Sequence, residues 1–376
     1  MAGLKRAKAL CLRSSIYKRL WRIVGELVNC PIMNRKLFLS SLLPASAMLY
    51  AFKGNAATTK LSNEAVKHKK PPYLKQGDII GITCPAGFIT YDEIAPAIQQ
   101  MESWGFKVAI GKTVGARDFT FGGTDEERLA DLQQMLDDTS IKAIMCARGG
   151  YGAVRIVDQL NFSIFKISPK WLIGFSDITI LHCHLNSNYR FASIHSKMCN
   201  SFPTDWTKAE PIQIDTIKSI EKALKGEELM TYEASYQTNN RLGEAEGELI
   251  GGNLRCIENL TGSASEIKTD GKILFVEDVG EYLYSIDRMF FNLKRSGKLN
   301  KLKGLVVGGF RVKKDDEGDG FGKTLEQIVL EKVKEFNYPV CFDFPVGHQK
   351  ANYALKCGIK HRLSVTEQTT TLKELA

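Results

Sequence analysis

Alternating strands and helices predict an α/β fold, a parallel sheet with helices on both faces. Two observations carry the prediction. Short apolar runs, DIIGIT at 78–83, FKVAI at 106–110, KAIMCA at 142–147 and WLIGF at 171–175, are separated by segments of helical periodicity. Glycine-bearing turns, CPAG at 84–87, RGGYG at 148–152 and GFSD at 174–177, stand at the ends of three of these runs. Ligands of such sheets bind at the carboxyl ends of the strands, where all three turns would gather.

The 376 residues suffice for two domains and a large core, and 44% hydrophobic with 25% charged residues is ordinary for a soluble globular protein. The formal charge of +9 invites a nucleic-acid partner, but residues 1–70 hold 14 Lys or Arg against Glu26 and Glu64 and leave the remainder at −3. A near-neutral body implies no polyanion partner. Residues 1–32 are a basic leader with no assignable function, untranslated if the protein starts at Met33. Residues 33–58 read as a signal peptide: Arg35 and Lys36, an apolar stretch from Leu37 to Phe52, then GNAA for cleavage. Export, to a periplasm or beyond, is expected on that reading; an uncleaved anchor is the alternative, and without either the protein is cytoplasmic. A polar linker is expected over 59–74. The nine cysteines are scattered and form no CxxC pair, so neither a disulfide framework nor a zinc site is predicted.

A first domain is expected over 75–205. Its first strand ends in CPAG; a helix over about 91–104 stops at Gly105, and FKVAI is the second strand. Thr124 and Glu127 make a capping box for a helix through Leu136. KAIMCA runs into RGGYG, and another helix leads to WLIGF. A polar interval over 206–240 reads as a linker. The second domain, 241–370, opens with ELIGGNLRCIENL, a strand turning through Gly251 and Gly252 into a helix. Ile273 to Val276 form a strand with Glu277 at its end, and Tyr284 to Leu293 a helix. KGLVVGGF is a strand, 322–335 a helix, and His348 follows the PVCFDF strand in a glycine-flanked turn.

The chemistry centres on 171–185. Ser176 sits at a sharp strand-to-helix turn, the geometry that lifts a hydroxyl clear and aims helix N–H groups at its oxygen. It reads as a nucleophile, or, with Asp177, as a simple N-cap. RGGYG is neither a Walker loop nor a dinucleotide fingerprint. It is a tight turn, or Gly149 or Gly150 offers an N–H that forms an oxyanion hole with the N–H of Asp177. A serine needs a base, and a histidine serves near neutral pH once a carboxylate fixes its tautomer. Of six histidines only His348 is held in a glycine turn directly after a strand. Taken singly, it fits a loop residue as well as a base, and Glu277 fits a helix-start carboxylate. His182 and His184 point apart on a helix and make no metal pair.

GDIIGITCPAG, ARGGYGAVRIVDQL, IGFSDIT, the IHS at 194–196, LIGGNL, ILFVEDVGEYLYSIDRM, GLVVGGF and FPVGHQKANYALKCG occur in this order. The sequence resembles the LD-carboxypeptidase family of serine peptidases, which includes the microcin C immunity proteins, from about residue 75 to 365. The resemblance implies a Rossmann-like sandwich domain followed by a smaller barrel-like α/β domain, a homodimer, and a Ser-Glu-His triad mapping onto Ser176, Glu277 and His348. It implies removal of a terminal D-residue, typically D-alanine, from murein tetrapeptides, with no metal or cofactor. Departures are Ser196 and Lys197, where members often have Gly-Pro, and CPAG in place of a Pro-Ser loop. An exopeptidase must hold a free carboxylate, and Arg148 is the candidate, with a structural ion pair as its alternative. Hydrolysis of aminoacyl-nucleotide antibiotics, with Trp206 as an aromatic platform or a core residue, is a rival function. A non-catalytic muropeptide-binding protein is another.

Overall fold

The computed structural model describes residues 69–376. The leader, the signal-peptide reading and the linker up to residue 68 lie outside the described residues. In chain order the elements are β1 (Ile79–Thr83), α1 (Tyr91–Ser103), β2 (Lys107–Ile110), α2 (Asp125–Asp137), β3 (Ile141–Cys146), α3 (Ala153–Ile156), α4 (Ser163–Ile167), β4 (Trp171–Gly174), α5 (Thr179–His184) and β5 (Ser193–His195). Then follow α6 (Pro211–Lys225), β6 (Thr231–Ser235), β7 (Gly243–Asn253), α7 (Leu254–Asn259), β8 (Ile273–Val279), α8 (Leu283–Arg295), β9 (Gly304–Arg311), α9 (Leu325–Lys332), β10 (Val340–Cys341), β11 (Leu355–Cys357), β12 (Lys360–Val365) and β13 (Thr369–Glu374).

Two sheets result, and the fold is α/β as the alternation predicts. The first runs β11-β5-β4-β3-β1-β2, parallel except for β11. Its strands are apolar on both faces because helices cover both. Ile80, Ile82, Met145, Trp171 and Ile173 pack with Ile94, Ala97 and Met101 of α1. Their neighbours Ile144, Cys146 and Leu172 face Leu132, Met135 and Leu136 of α2. The capping box at Thr124 and Glu127 forms, and a second stands at Thr90 and Glu93.

The second sheet runs β10-β9-β8-β7-β12-β13-β6, parallel from β7 to β10 and antiparallel in the remainder. The eleven-residue β7 serves both halves: Gly243–Glu248 pairs with β12, and Leu249–Asn253 with β8. Arg241 bridges to Val340, drawing the start of β7 against the β10 edge. Ile250, Leu274 and Val276 of this sheet join Ile178, Ile180 and Leu181 around α5 in one core.

Two expectations are corrected. The interval 206–240 is not a linker: it holds α6 and β6, with Ile217, Ile220, Ala223 and Leu224 fully buried. Pro211 opens that helix and Gly226, at φ 63°, ends it, the usual placement of these residues at helix ends. The first sheet is also not built from 75–205 alone. Leu355–Cys357 crosses back and pairs antiparallel with Ser193–His195, so the chain that carries His348 is stitched to the strand beside Ser176.

Candidate active site

Ser176 is reached by a strand that stops abruptly. Phe175 is still extended, and Ser176 turns to φ 61°, a left-handed conformation costing a non-glycine residue roughly 1–2 kcal/mol. The next residues form a single 3-10 turn, Ser176–Ile178, before α5 begins. Ser176 makes no side-chain capping bond and is partly exposed. Its hydroxyl is thus lifted out of the backbone scheme, as a nucleophile requires.

The Asp177 side chain does cap, but on a different helix. Its Oδ2 accepts the Ala153 N–H at 2.7 Å, tying the 148–152 loop to the serine turn. Burial pushes this carboxyl up to about 6, against the pull of the Ala153 N–H and the Arg128 guanidinium. Gly149 lies directly on the serine: a Cβ there would stand 3.0 Å from Ser176 Cβ and 3.3 Å from its Oγ. Its carbonyl accepts from Gly87 N at 2.8 Å, so CPAG braces RGGYG from behind. Gly150, at φ 101°, stacks over the Gly87 backbone instead.

Sequence reasoning missed Arg128. Its guanidinium is fully buried and donates to Pro85 O at 2.7 Å and Gly152 O at 3.0 Å. One side chain therefore fastens both glycine loops. Beside Asp125 in an acidic first helical turn, it looks in sequence like a solvent ion pair, and that pair with Asp125 does form. Nothing local signals the carbonyls on its other edge.

The second sheet brings Glu277 and His348 together. Glu277 lies inside β8, fully buried, where the ladder to β9 is irregular between Val276 and Asp278. Its Oε2 is 2.5 Å from His348 Nδ1. A carboxylate can only accept here, so Nδ1 carries the proton and Nε2 is left as the basic nitrogen. The His348 ring lies 5.0 Å, centroid to centroid, from the ring of Phe175, next to Ser176. Among the described residues the Ser176 hydroxyl and the imidazole are not hydrogen-bonded to each other. Such bonds often tighten only with substrate in place.

Gly347 makes the carboxylate–imidazole pair possible. Its φ is 101°, and a Cβ would fall 2.4 Å from Glu277 Cβ. Gly347→Ala should therefore lower stability by about 2–4 kcal/mol and cut turnover well beyond what that loss explains. Urea unfolding alongside kinetics on the remaining folded protein checks this.

The end of β7 locks the two halves together. Asn253 N donates to Thr179 Oγ1 at 2.9 Å, and a Cβ on Gly252 would meet that same Oγ1 at 2.4 Å. Asp278 accepts from Asn253 Nδ2 and Arg255 N, both at 2.9 Å. The start of α7 is thereby pinned beneath the serine turn.

The other described histidines are built into the fold. His182 bridges Gly174 O and Ser193 Oγ at 2.9 and 2.8 Å, and burial pulls it down to about 4. His184 meets Ser265 Oγ at 2.8 Å. His195 is part of β5, fully buried with its ring edge-on to Phe175 and Phe275. His361, read as part of a charged terminal run, is buried in β12. Among the described residues no group of three or more His, Cys, Asp or Glu is arranged to hold a metal ion, and all seven described cysteines are free thiols. Trp206 is half-buried and packs against the hydrophobic core. Arg148 is exposed and donates to Phe88 O at 3.0 Å, at the rim of a cavity of about 230 Å³ that also involves Gly87, Arg117 and Gly150.

Residues 80–196 match the LD-carboxypeptidase N-terminal domain and 246–363 the LD-carboxypeptidase C-terminal domain. A probable murein peptide carboxypeptidase of Bacillus subtilis is 34% identical over 81% of this chain and 94% of its own. The murein tetrapeptide carboxypeptidase of Pseudomonas aeruginosa is 29% identical over 74% of this chain and 91% of its own. In structure, the muramoyltetrapeptide carboxypeptidase from Oxalobacter formigenes superposes with a TM-score of 0.69 at 25% identity, over 79% of this chain and 99% of that one. The microcin C7 self-immunity protein MccF in complex with aspartyl sulfamoyl adenosine reaches 0.70 at 22% identity, over 81% and 98%, a likeness of fold. The chain belongs to the LD-carboxypeptidase family and is a serine carboxypeptidase.

Proposed function

We propose that the protein hydrolyses the amide before a C-terminal D-amino acid of murein tetrapeptides through an acyl-enzyme on Ser176. The observation that carries this reading is the buried Glu277 carboxylate 2.5 Å from His348 Nδ1, with the imidazole seated against Phe175. Glu277 fixes the tautomer and stabilises the imidazolium. Ser176 Oγ attacks the scissile carbonyl as its proton passes to His348 Nε2. The oxyanion accepts hydrogen bonds from the N–H of Asp177 and of Gly149 or Gly150, a device worth about 2.7–4 kcal/mol of barrier per donor. The tetrahedral adduct collapses, the C–N bond breaks, and His348 hands the proton to the departing amine. Water, deprotonated by the same nitrogen, then attacks the ester and frees the shortened peptide and the serine.

The relatives named as murein peptide carboxypeptidases support this substrate class. The family likeness supports a homodimer, and the leader from Met33 supports export toward the wall. The rival, hydrolysis of aminoacyl nucleotides, draws on the likeness to MccF; Trp206, its expected platform, packs on the core instead.

Mass spectrometry of a mixed muropeptide digest tests the proposal. Tetrapeptides should become tripeptides, with kcat/KM at least about 100-fold above that for an aminoacyl sulfamoyl-adenosine. Hydrolysis of the nucleotide with tetrapeptide untouched would select the rival. Tetrapeptide bound but never cleaved would select the muropeptide-binding alternative.

A further inference from the structure

We propose that Lys197 and Arg311 form the receptor for the terminal carboxylate of the substrate, on the imidazole side of Ser176. The proposal rests on the carboxypeptidase reading above and assigns a site within it. Its first support is the chemistry of the leaving group. His348 must protonate the departing nitrogen, so the residue being released lies beside the imidazole. Its carboxylate is two bonds from that nitrogen, with oxygens within about 4 Å of it. The cation that reads it therefore has to stand next to His348.

Lys197 stands there. Its ammonium donates to the carbonyl of Gln349, the residue after His348, at 2.8 Å, and lies 5.6 Å above the ring of Phe175. It lines a cavity of about 260 Å³ together with Arg311, Gln349 and Lys350. Arg311 comes from the end of β9 in the second sheet, so each half of the molecule contributes one cation. At the rim of that cavity Lys350 is neutralised by Glu210 at 2.6 Å. Among the described residues Lys197 and Arg311 have no carboxylate within ion-pair distance.

Half-buried Lys197 and exposed Arg311, two unneutralised cations lining one cavity, repel. The cost is visible on Lys197, which burial first and the Arg311 guanidinium second pull down to about 8, with Glu277 acting in the opposite sense. A carboxylate seated between them relieves that repulsion and gains charge-assisted hydrogen bonds from both. Arg148 is placed differently: it is bonded to Phe88 O and lines a separate cavity with Gly87, Arg117 and Gly150.

The test compares a murein tetrapeptide having a free terminal carboxylate with the same peptide as its C-terminal amide. Lys197→Met keeps the stem over Phe175 and removes the charge; Arg311→Gln removes the second. In the full chain each variant should lower kcat/KM for the acid by about 10–100-fold and shrink the acid-to-amide ratio by a similar factor. That ratio is insensitive to partial misfolding, because both substrates see the same folded fraction. Calorimetry on Ser176→Ala protein reads the site without turnover: adding Lys197→Met or Arg311→Gln should weaken binding of the acid at least about tenfold. An unchanged ratio with active enzyme overturns the site and leaves the carboxypeptidase standing. Charge-dependent binding of the acid to a wild-type protein that never cleaves it overturns the enzyme reading and leaves the site standing. An Arg148→Gln variant that collapses the ratio while the other two preserve it also overturns the assignment.

Discussion

Ser176→Ala should remove tetrapeptide turnover almost completely, by roughly 10⁴–10⁶-fold in kcat, the range expected when a triad nucleophile is lost. KM should move little, because the serine contributes to bond making rather than to holding the ground state. The fold should persist, with stability unchanged. Ser176 occupies a left-handed backbone at φ 61°, and its hydroxyl contributes no hydrogen bond to the turn, so alanine keeps the same strain while losing nothing structural. A variant with wild-type thermal stability and no turnover therefore separates chemistry from folding. Retained turnover at even one per cent would move the nucleophile elsewhere.

Glu277→Gln should be the next most damaging change, at about 10³–10⁴-fold in kcat. The glutamine is isosteric and fits the buried slot under Gly347. It can still face His348 Nδ1, but its NH₂ can now donate where the carboxylate could only accept. That places the proton on Nε2 and removes the base. The charge that stabilises the imidazolium is lost as well. If the activity fell less than tenfold, the buried carboxylate would be a structural anion and the proposed proton relay would be wrong. Steady-state kinetics across pH checks this, with circular dichroism to confirm the fold.

The parts of the site that could be read in the sequence are those whose signal is local. Ser176 follows a four-residue apolar strand and precedes an apolar helix, so the turn between them announces itself. The Thr124–Glu127 capping box is written in two residues and forms as expected. His348 stood out because its glycine neighbour implies an unusual backbone, and Gly347 indeed has φ 101°.

What escaped was non-local. Leu355–Cys357 is three residues long and pairs with Ser193–His195, some 160 positions earlier; no periodicity in so short a strand reveals its partner. Helix α6 was hidden because Lys218, Glu221 and Lys222 dominate its composition, while its apolar face, Ile217, Ile220 and Leu224, shows only at helical spacing. Arg128 was hidden by its own ion pair, since an arginine three residues after an aspartate looks the same whether its far edge meets water or two loop carbonyls. The cap expected of the Asp177 side chain goes to α3, whose first residue lies 24 positions earlier, and not to the helix after Ser176; its N–H is a separate group.

The central claim is that a covalent ester forms on one particular oxygen, and it can be tested by catching that ester. Tetrapeptide turnover quenched in acid within milliseconds, followed by digestion and mass spectrometry, should find the acyl group on the peptide containing Ser176. The adduct should vanish in Ser176→Ala and accumulate when deacylation is slowed. Turnover that proceeds at full rate with no acyl adduct, or with the adduct on another residue, would contradict the account.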